Sequence, residues 1–220
     1  MVENTGAASK RRQQILCFLK ECEKLKSVER IPLLSQEYRR ENDAEHSWHL
    51  AVMVLAFEKE IGLKFDVCKA LKLAAVHDLP EAYVGDCWPA NEREKKEKKE
   101  REEKGAQKIF GHLPSDLRDE FTALWREYDE GRTVEAKIVK ALDKICYPLQ
   151  YSLSGKIVYP PGSEDYGIEE KKRYAAPHCE FNPALLAVLD QLLEELYSKK
   201  REVIEPREYA SSRPNGLKRC

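Results

Sequence analysis

The chain has 220 residues, 42% apolar and 35% charged, with a net charge of −1. That length and apolar share suit a single domain with a real core, while the balanced charge excludes a basic field for nucleic acid or acidic membrane. No stretch approaches the roughly 18 uninterrupted apolar residues of a membrane span.

Helical periodicity dominates from the start. In "QQILCFLKECEKLK", Ile15, Phe18, Leu19, Cys22 and Leu25 recur at the spacing of one helix face. Asn42, with Glu45 as its capping-box partner, opens a second helix through "AEHSWHLAVMVLAFEKEIG". A third is expected from about Asp66, its cap, to Tyr83. From Glu92 to Lys104 every residue is charged, seven basic and six acidic. Mixed signs at i, i+4 spacing predict a solvated helix, which turns amphipathic through Ile109 and Phe110.

Pro114–Ser115 starts "SDLRDEFTALWREYDEG", ended by Gly131, and Thr133 opens "VEAKIVKALDKICYPLQ". "SGKIVYPPGSEDYG" reads as a Gly/Pro-rich loop. Asn182–Pro183 is an N-cap and first-residue pair for a last helix, "ALLAVLDQLLEELYSKK". There is no internal repeat and no sustained strand alternation. The expected fold is all-α, a bundle of six or seven helices, with residues 1–9 a flexible N-terminus, 10–200 one domain and 201–220 a polar tail. The first helix and the Leu-rich last one offer faces for a homodimer as readily as for a core.

The N-terminus "MVENTGAASKRRQQ" has no apolar segment of the secretory kind. The seven cysteines are odd in number and none forms C-x-x-C, which argues against a disulfide framework or a cysteine zinc site. They read as small core hydrophobes in a reducing compartment. The protein is expected to be soluble and cytoplasmic.

Some ionisable residues sit where apolar ones belong. In "LAAVHDLPEAYVGD", a helix extended through the segment puts His77, Asp78 and Glu81 on one third of its circumference, amid Leu71, Ala74, Ala75 and Leu79. Buried charge is costly unless something opposite meets it. A lone buried histidine is more often satisfied by hydrogen bonds than by a metal, so more donors are needed. His46, in the first turn of "DAEHSWHLAVM", is the best candidate, and His49 one turn on is either a ligand or a filler beside Trp48. His112 and His178 sit in or near loops without a matching partner. Asp143 lies on a face with Ala136, Val139, Cys146 and Tyr147, and lysines flank it in sequence but not on that face. It either completes a metal site or satisfies a helix terminus or an arginine. Two imidazoles and two carboxylates suit one divalent ion such as Mn²⁺, Co²⁺, Fe²⁺, Mg²⁺ or Zn²⁺, with positions left for water and substrate.

The order H…HD…D in "RRENDAEHSWHLAVM", "LAAVHDLPEAYVGD" and "EAKIVKALDK" resembles the HD-domain metal-dependent phosphohydrolases, in the branch that includes the 5′-deoxynucleotidases. "ERIPLL" resembles the substrate-binding start of that branch. The resemblance implies metal ligands at His46, His77, Asp78 and Asp143. It implies an acid at Glu81 that orients the attacking metal-bound water, and a second at Asp86 near the scissile phosphate and sugar. It also implies a phosphate clamp at Arg30. The bacterial enzymes of the branch carry tryptophan where this chain has Ile31, which removes a flat surface beside the sugar. The implied activity is removal of the 5′-phosphate from (deoxy)nucleoside 5′-monophosphates. The alternatives are a phosphodiesterase or pyrophosphohydrolase on a cyclic nucleotide, dinucleoside polyphosphate or alarmone, and a catalytically silent nucleotide-binding protein.

Overall fold

Asn42 caps a helix as its spacing predicts. In the computed structural model, which describes residues 4–36, 39–86, 92–158, 168–198 and 202–204, its side-chain oxygen accepts from Glu45 N at 3.0 Å and its own N donates to Glu45 Oε2 at 3.1 Å. The helix so opened is α2 (Asp43–Phe57). Before it come α1 (Asn4–Cys22), which already includes residues 4–9, a 3-10 turn and a two-stranded hairpin. The hairpin pairs β1 (Glu29–Leu33) antiparallel with β2 (Arg40–Asn42), and its register shifts between Glu29 and Leu33. Pro32, which has no N–H for a ladder bond, lies inside the shifted stretch.

The single helix expected from Asp66 to Tyr83 is broken. Asp66 does cap α3 (Val67–Val76), accepting from Lys69 N at 3.1 Å, but α3 ends there and a separate one-turn α4 spans Glu81–Val84. Pro80 is the cause, because it has no N–H to offer the carbonyl of Val76. Leu79 N takes that carbonyl instead at 3.2 Å, and Glu81 N and Ala82 N likewise bond three residues back, to Asp78 and Leu79. In this tighter spiral residues i and i+3 eclipse one another. Asp78 and Glu81 thus share a side through a different geometry from the one their spacing predicts.

The charged run forms α5 (Glu92–Phe110), followed by α6 (Ser115–Glu130) and α7 (Val134–Ser154). Thr133 caps α7 through Ala136 N, and Gly131 closes α6 in the left-handed region at φ 62°. The loop expected over 152–167 is partly regular. Residues 152–154 end α7, β3 (Lys156–Val158) follows, and 159–167 lie outside the described residues. A further helix, α8 (Ile168–Cys179), precedes the Asn182-capped α9 (Pro183–Ser198). Within the expected polar tail, β4 (Glu202–Ile204) pairs in parallel with β3, and the tail beyond residue 204 lies outside the described residues. The all-α class holds, with more helical segments than six or seven because one stretch splits and α8 is added. None of the described helices is long and apolar enough to cross a membrane.

Two apolar clusters fill the interior. Leu50, Leu73, Ile138, Leu142, Ile145 and Leu189, all from α2, α3, α7 and α9, are fully buried in the larger one. Phe18, Val76, Ile109, Phe110 and Trp125 form the second, between α1, α5 and α6. α7 belongs to the larger cluster, and the 77–84 turn belongs, through Leu79, to the second. Cys146 and Cys179 are buried and reduced, as small core residues should be, whereas Cys68 is exposed; Cys87 and Cys220 lie outside the described residues.

Candidate metal centre and active site

His46, His77, Asp78 and Asp143 converge. His46, at the end of the first turn of α2, has no exposed surface, and His77, the residue closing α3, is 4% exposed. His77 Nδ1 donates to the carbonyl of Ala74 at 2.9 Å, which directs its Nε2 toward His46 Nε2, 3.3 Å away. Asp78 Oδ2 lies 3.0 Å from His77 Nε2 and 3.7 Å from His46 Nε2, and Asp143 Oδ1 lies 3.1 Å from His46 Nε2. His46, His77 and Asp143 each offer an atom in a group spanning no more than 4.8 Å.

These distances test the fit of a metal. Ligand atoms bound about 2.1 Å from one ion lie roughly 3–3.5 Å from each other. His46 Nε2 lies at such spacings from His77 Nε2 and Asp143 Oδ1, and Asp78 Oδ2 lies 3.0 and 3.7 Å from the two imidazole nitrogens while also falling in a second close group with Asp43 and Glu81. The site is therefore able to hold one divalent ion.

The proton affinities follow from the same crowding. Burial, reinforced by the Arg30 charge, lowers His46 to about 4. Burial also works against the His77 imidazolium, but Asp78 outweighs it and raises His77 above its ordinary value. Asp78 and Asp143 overcome burial and are held down, Asp78 by His77 and Arg30 and Asp143 by Lys144 and His46. Tyr128 Oη and Lys144 Nζ both donate to Asp143 Oδ2 at 2.8 Å, leaving Oδ1 for the centre. The reading of Asp143 as free of lysine on its own face is thus corrected, because the flexible Lys144 stem folds back across the helix surface to reach it.

A cavity of about 380 Å³ opens on this centre, and Arg30, Glu81, Asp86, Lys98, Tyr147 and His178 are among its lining residues. Glu81 is 4% exposed; burial and the charges of Asp78 and Asp86 raise it well above the ordinary carboxyl range. Gly85, at φ 76°, takes a conformation that other residues resist and carries the chain from α4 to Asp86. Arg30 is not a free fork. Its Nη1 reaches Asp78 at 3.2 Å and Asp43 at 3.5 Å, and its Nε lies 3.4 Å from Glu41.

The remaining expectations divide. His49 stacks on Trp48 with ring centroids 6.1 Å apart, the filler role rather than the ligand one. His112 bonds Tyr83 at 3.2 Å and Cys17 at 3.4 Å. His178 lies one residue from the end of α8, near a loop as expected, and lines the cavity. The helix read as wholly solvated turns Lys98 and Glu102 inward to the same cavity. Sequence reasoning also missed Glu41, with its carboxyl pushed by burial to about 7, and the fully buried Asp43. Asp43 reads as an ordinary acid in a helix first turn, so its sequence carries little signal of the site.

An all-α bundle with two imidazoles and two carboxylates gathered at a buried point beside a cavity defines a class of metal-centred helical proteins. The HD domain family matches residues 22–171, a span containing Arg30, His46, His77, Asp78, Glu81, Asp86 and Asp143, and the chain belongs to that family. It is 38% identical over 151 residues to the 5′-deoxynucleotidase HDDC2 of Homo sapiens, covering 68% of this chain and 72% of that one. It is 34% identical over 139 residues to the protein of the same name in Dictyostelium discoideum, covering 60% and 73%. A crystal structure described as a predicted metal-dependent phosphohydrolase from Magnetospirillum magnetotacticum superposes with a TM-score of 0.72 at 29% identity, covering 86% of this chain and 98% of that one.

Proposed function

We propose that this chain is a metal-dependent phosphohydrolase that removes the 5′-phosphate from deoxynucleoside 5′-monophosphates in the cytoplasm. The observation that carries the reading is the convergence of His46, His77, Asp78 and Asp143 at one side of a cavity that also holds Glu81 and Asp86. A volume of about 380 Å³ is in the range of small-ligand pockets. Similarity to proteins named 5′-deoxynucleotidase supports the same substrate class.

His46, His77, Asp78 and Asp143 hold one divalent ion in this reading, with Mn²⁺, Co²⁺, Fe²⁺, Mg²⁺ and Zn²⁺ all compatible with the donor set. Such an ion supplies Lewis-acid polarisation of a phosphate oxygen and makes water acidic enough to attack near neutral pH. Glu81 orients the attacking water and takes its proton, a task suited to a buried carboxylate of raised proton affinity. As the bond from phosphorus to the sugar oxygen breaks, Asp86 assists proton transfer to that oxygen, giving nucleoside and phosphate. Arg30 supplies fixed positive charge for the phosphoryl oxygens. Among the described residues, Tyr147 rather than Ile31 lines the cavity near Arg30, its ring centroid 6.0 Å from the guanidinium. Tyr147 is one flat surface the cavity offers a sugar.

Phosphate release measured across a matrix of divalent ions and nucleoside monophosphates tests the reading. Release from deoxynucleotides that stops on chelation is expected, and Glu81→Ala abolishes it while metal stays bound. No release with any ion and any nucleotide refutes it.

A further inference from the structure

The charged run on α5 has one face that turns inward. Lys98, Glu102, Gly105, Ala106 and Ile109 fall on a common face by helical spacing. Ala106 and Ile109 are buried in the cluster between α1, α5 and α6, so the same face one and two turns earlier points into the protein as well. Gly105 determines how near the helix comes. A Cβ there would lie 2.6 Å from the carbonyl oxygen of Pro80, so no larger residue fits without moving backbone. The approach brings Lys98 Nζ to 3.5 Å from Glu81 Oε1 and 3.3 Å from Glu102 Oε1.

Glu81 needs such a neighbour. Asp43, Asp78 and Asp86 all act on it as like charges, and Lys98 is the cation that opposes them. Its Oε1 faces the ammonium, while Oε2 is buried with no hydrogen-bond partner among the described residues. One oxygen faces the ammonium at 3.5 Å, and Glu81 also offers an oxygen within 4.8 Å of Asp43 and Asp78.

We propose that Lys98, steadied by Glu102, is a positioning residue that fixes the Glu81 carboxylate against the repulsion of the surrounding acids and keeps its second oxygen available to the attacking water. The catalytic half of this statement rests on the phosphohydrolase reading; the placement of Glu81 does not. A lysine kept only to pack α5 would act on stability alone, whereas a positioning lysine acts on turnover through Glu81.

Lys98→Met keeps the stem and removes the charge. Its kcat is expected to fall about tenfold, with KM and metal affinity unchanged within about twofold, and Lys98→Arg to recover most of the loss. In a Glu81→Gln background the same substitution should change kcat no further, because the path it acts on is already cut. The exposed Lys96→Met serves as control. An equal fall in both backgrounds overturns the proposal. If Lys98→Met does not fold, Lys98→Gln makes the same comparison. Crystal structures of metal-free wild type and variant decide placement without turnover. The Glu81 carboxylate should move by more than about 1 Å, a displacement large enough to matter for catalysis, and an unmoved carboxylate overturns the proposal whatever the substrate. A wild type that releases no phosphate counts against the phosphohydrolase reading alone, and the crystal structures then still decide the placement.

Discussion

Gly105→Ala sets two effects against each other. Alanine is the better helix former by about 0.8–1.0 kcal/mol in a helix interior, so propensity alone should raise the Tm by about 2–4 °C in a chain of this size. The structure opposes that gain. The added carbon would sit 2.6 Å from the Pro80 carbonyl oxygen and 3.3 Å from two further atoms of the same residue. That oxygen is not free to retreat, because it accepts a hydrogen bond from Tyr83 N at 3.1 Å within the spiral that carries Asp78 and Glu81. Overpacking of this kind costs about 1–3 kcal/mol, and a rigid backbone neighbour puts the cost in the upper half of that range. The net expectation is a loss of about 1–2 kcal/mol and a Tm lower by roughly 3–6 °C. Because α5 also carries Lys98, kcat should fall with it. Thermal unfolding and steady-state kinetics on one preparation check both. A raised Tm with unchanged kcat would show that α5 does not lie against the Pro80 turn and would refute the reasoning.

Asn182→Ala removes the cap of α9, where its Oδ1 accepts from Ala184 N and Leu185 N, and also the Nδ2 bond to the Ile61 carbonyl at 2.8 Å. A loss of about 2–3 kcal/mol, read as a lower denaturation midpoint with kcat unchanged, is expected; a midpoint equal to wild type counts against the assignment. Metal affinity should weaken with acid, because an ion must displace the proton that Asp78 stabilises on His77. Below the raised His77 value each pH unit costs about tenfold in Kd, steepening toward a second proton near the His46 value of about 4. Calorimetric titration that finds a pH-independent Kd between pH 5 and 7 would contradict this.

Local rules made several elements legible. The Asn42–Glu45 pair, the Asp66 and Thr133 caps and Gly131 each act within four residues, and each is where its spacing predicts. The four converging residues were legible for another reason: an imidazole or carboxylate on an apolar face is costly wherever the partner element lies. The break before α4 was also written in the chain, since Pro80 cannot sit inside an unkinked helix. Strands β3 and β4 were not legible, because three residues show no alternation and their pairing joins residues far apart in sequence. Lys98 and Lys144 were hidden by their own flexibility. A lysine in a charged run, or beside an acid it does not share a face with, reads as solvated until tertiary packing turns its stem.

Charge balance bears on the role left to Arg30. The carboxylates of Glu41, Asp43, Asp78, Glu81, Asp86, Glu102, Asp129 and Asp143 surround it or share its cavity, against the cations of Arg30, Lys98, Lys140 and Lys144. The deficit is four positive charges, of which one divalent ion supplies two. Protons meet the rest, and Glu41, Asp43, Glu81 and Glu102 all have raised proton affinity. An arginine already engaged by Asp78, Asp43 and Glu41 cannot turn its whole fork to a phosphate without releasing acids into a site already short of positive charge. Its contact with Asp43 is the loosest, at 3.5 Å, and that edge is the one a phosphoryl oxygen can claim. Asp43 would then take a proton, since burial and its acidic neighbours already favour its neutral form. Asp43→Asn, which fixes that neutral form, should therefore lower KM for the nucleotide or leave it unchanged, and a several-fold rise in KM would show that the Asp43 charge is needed where it stands.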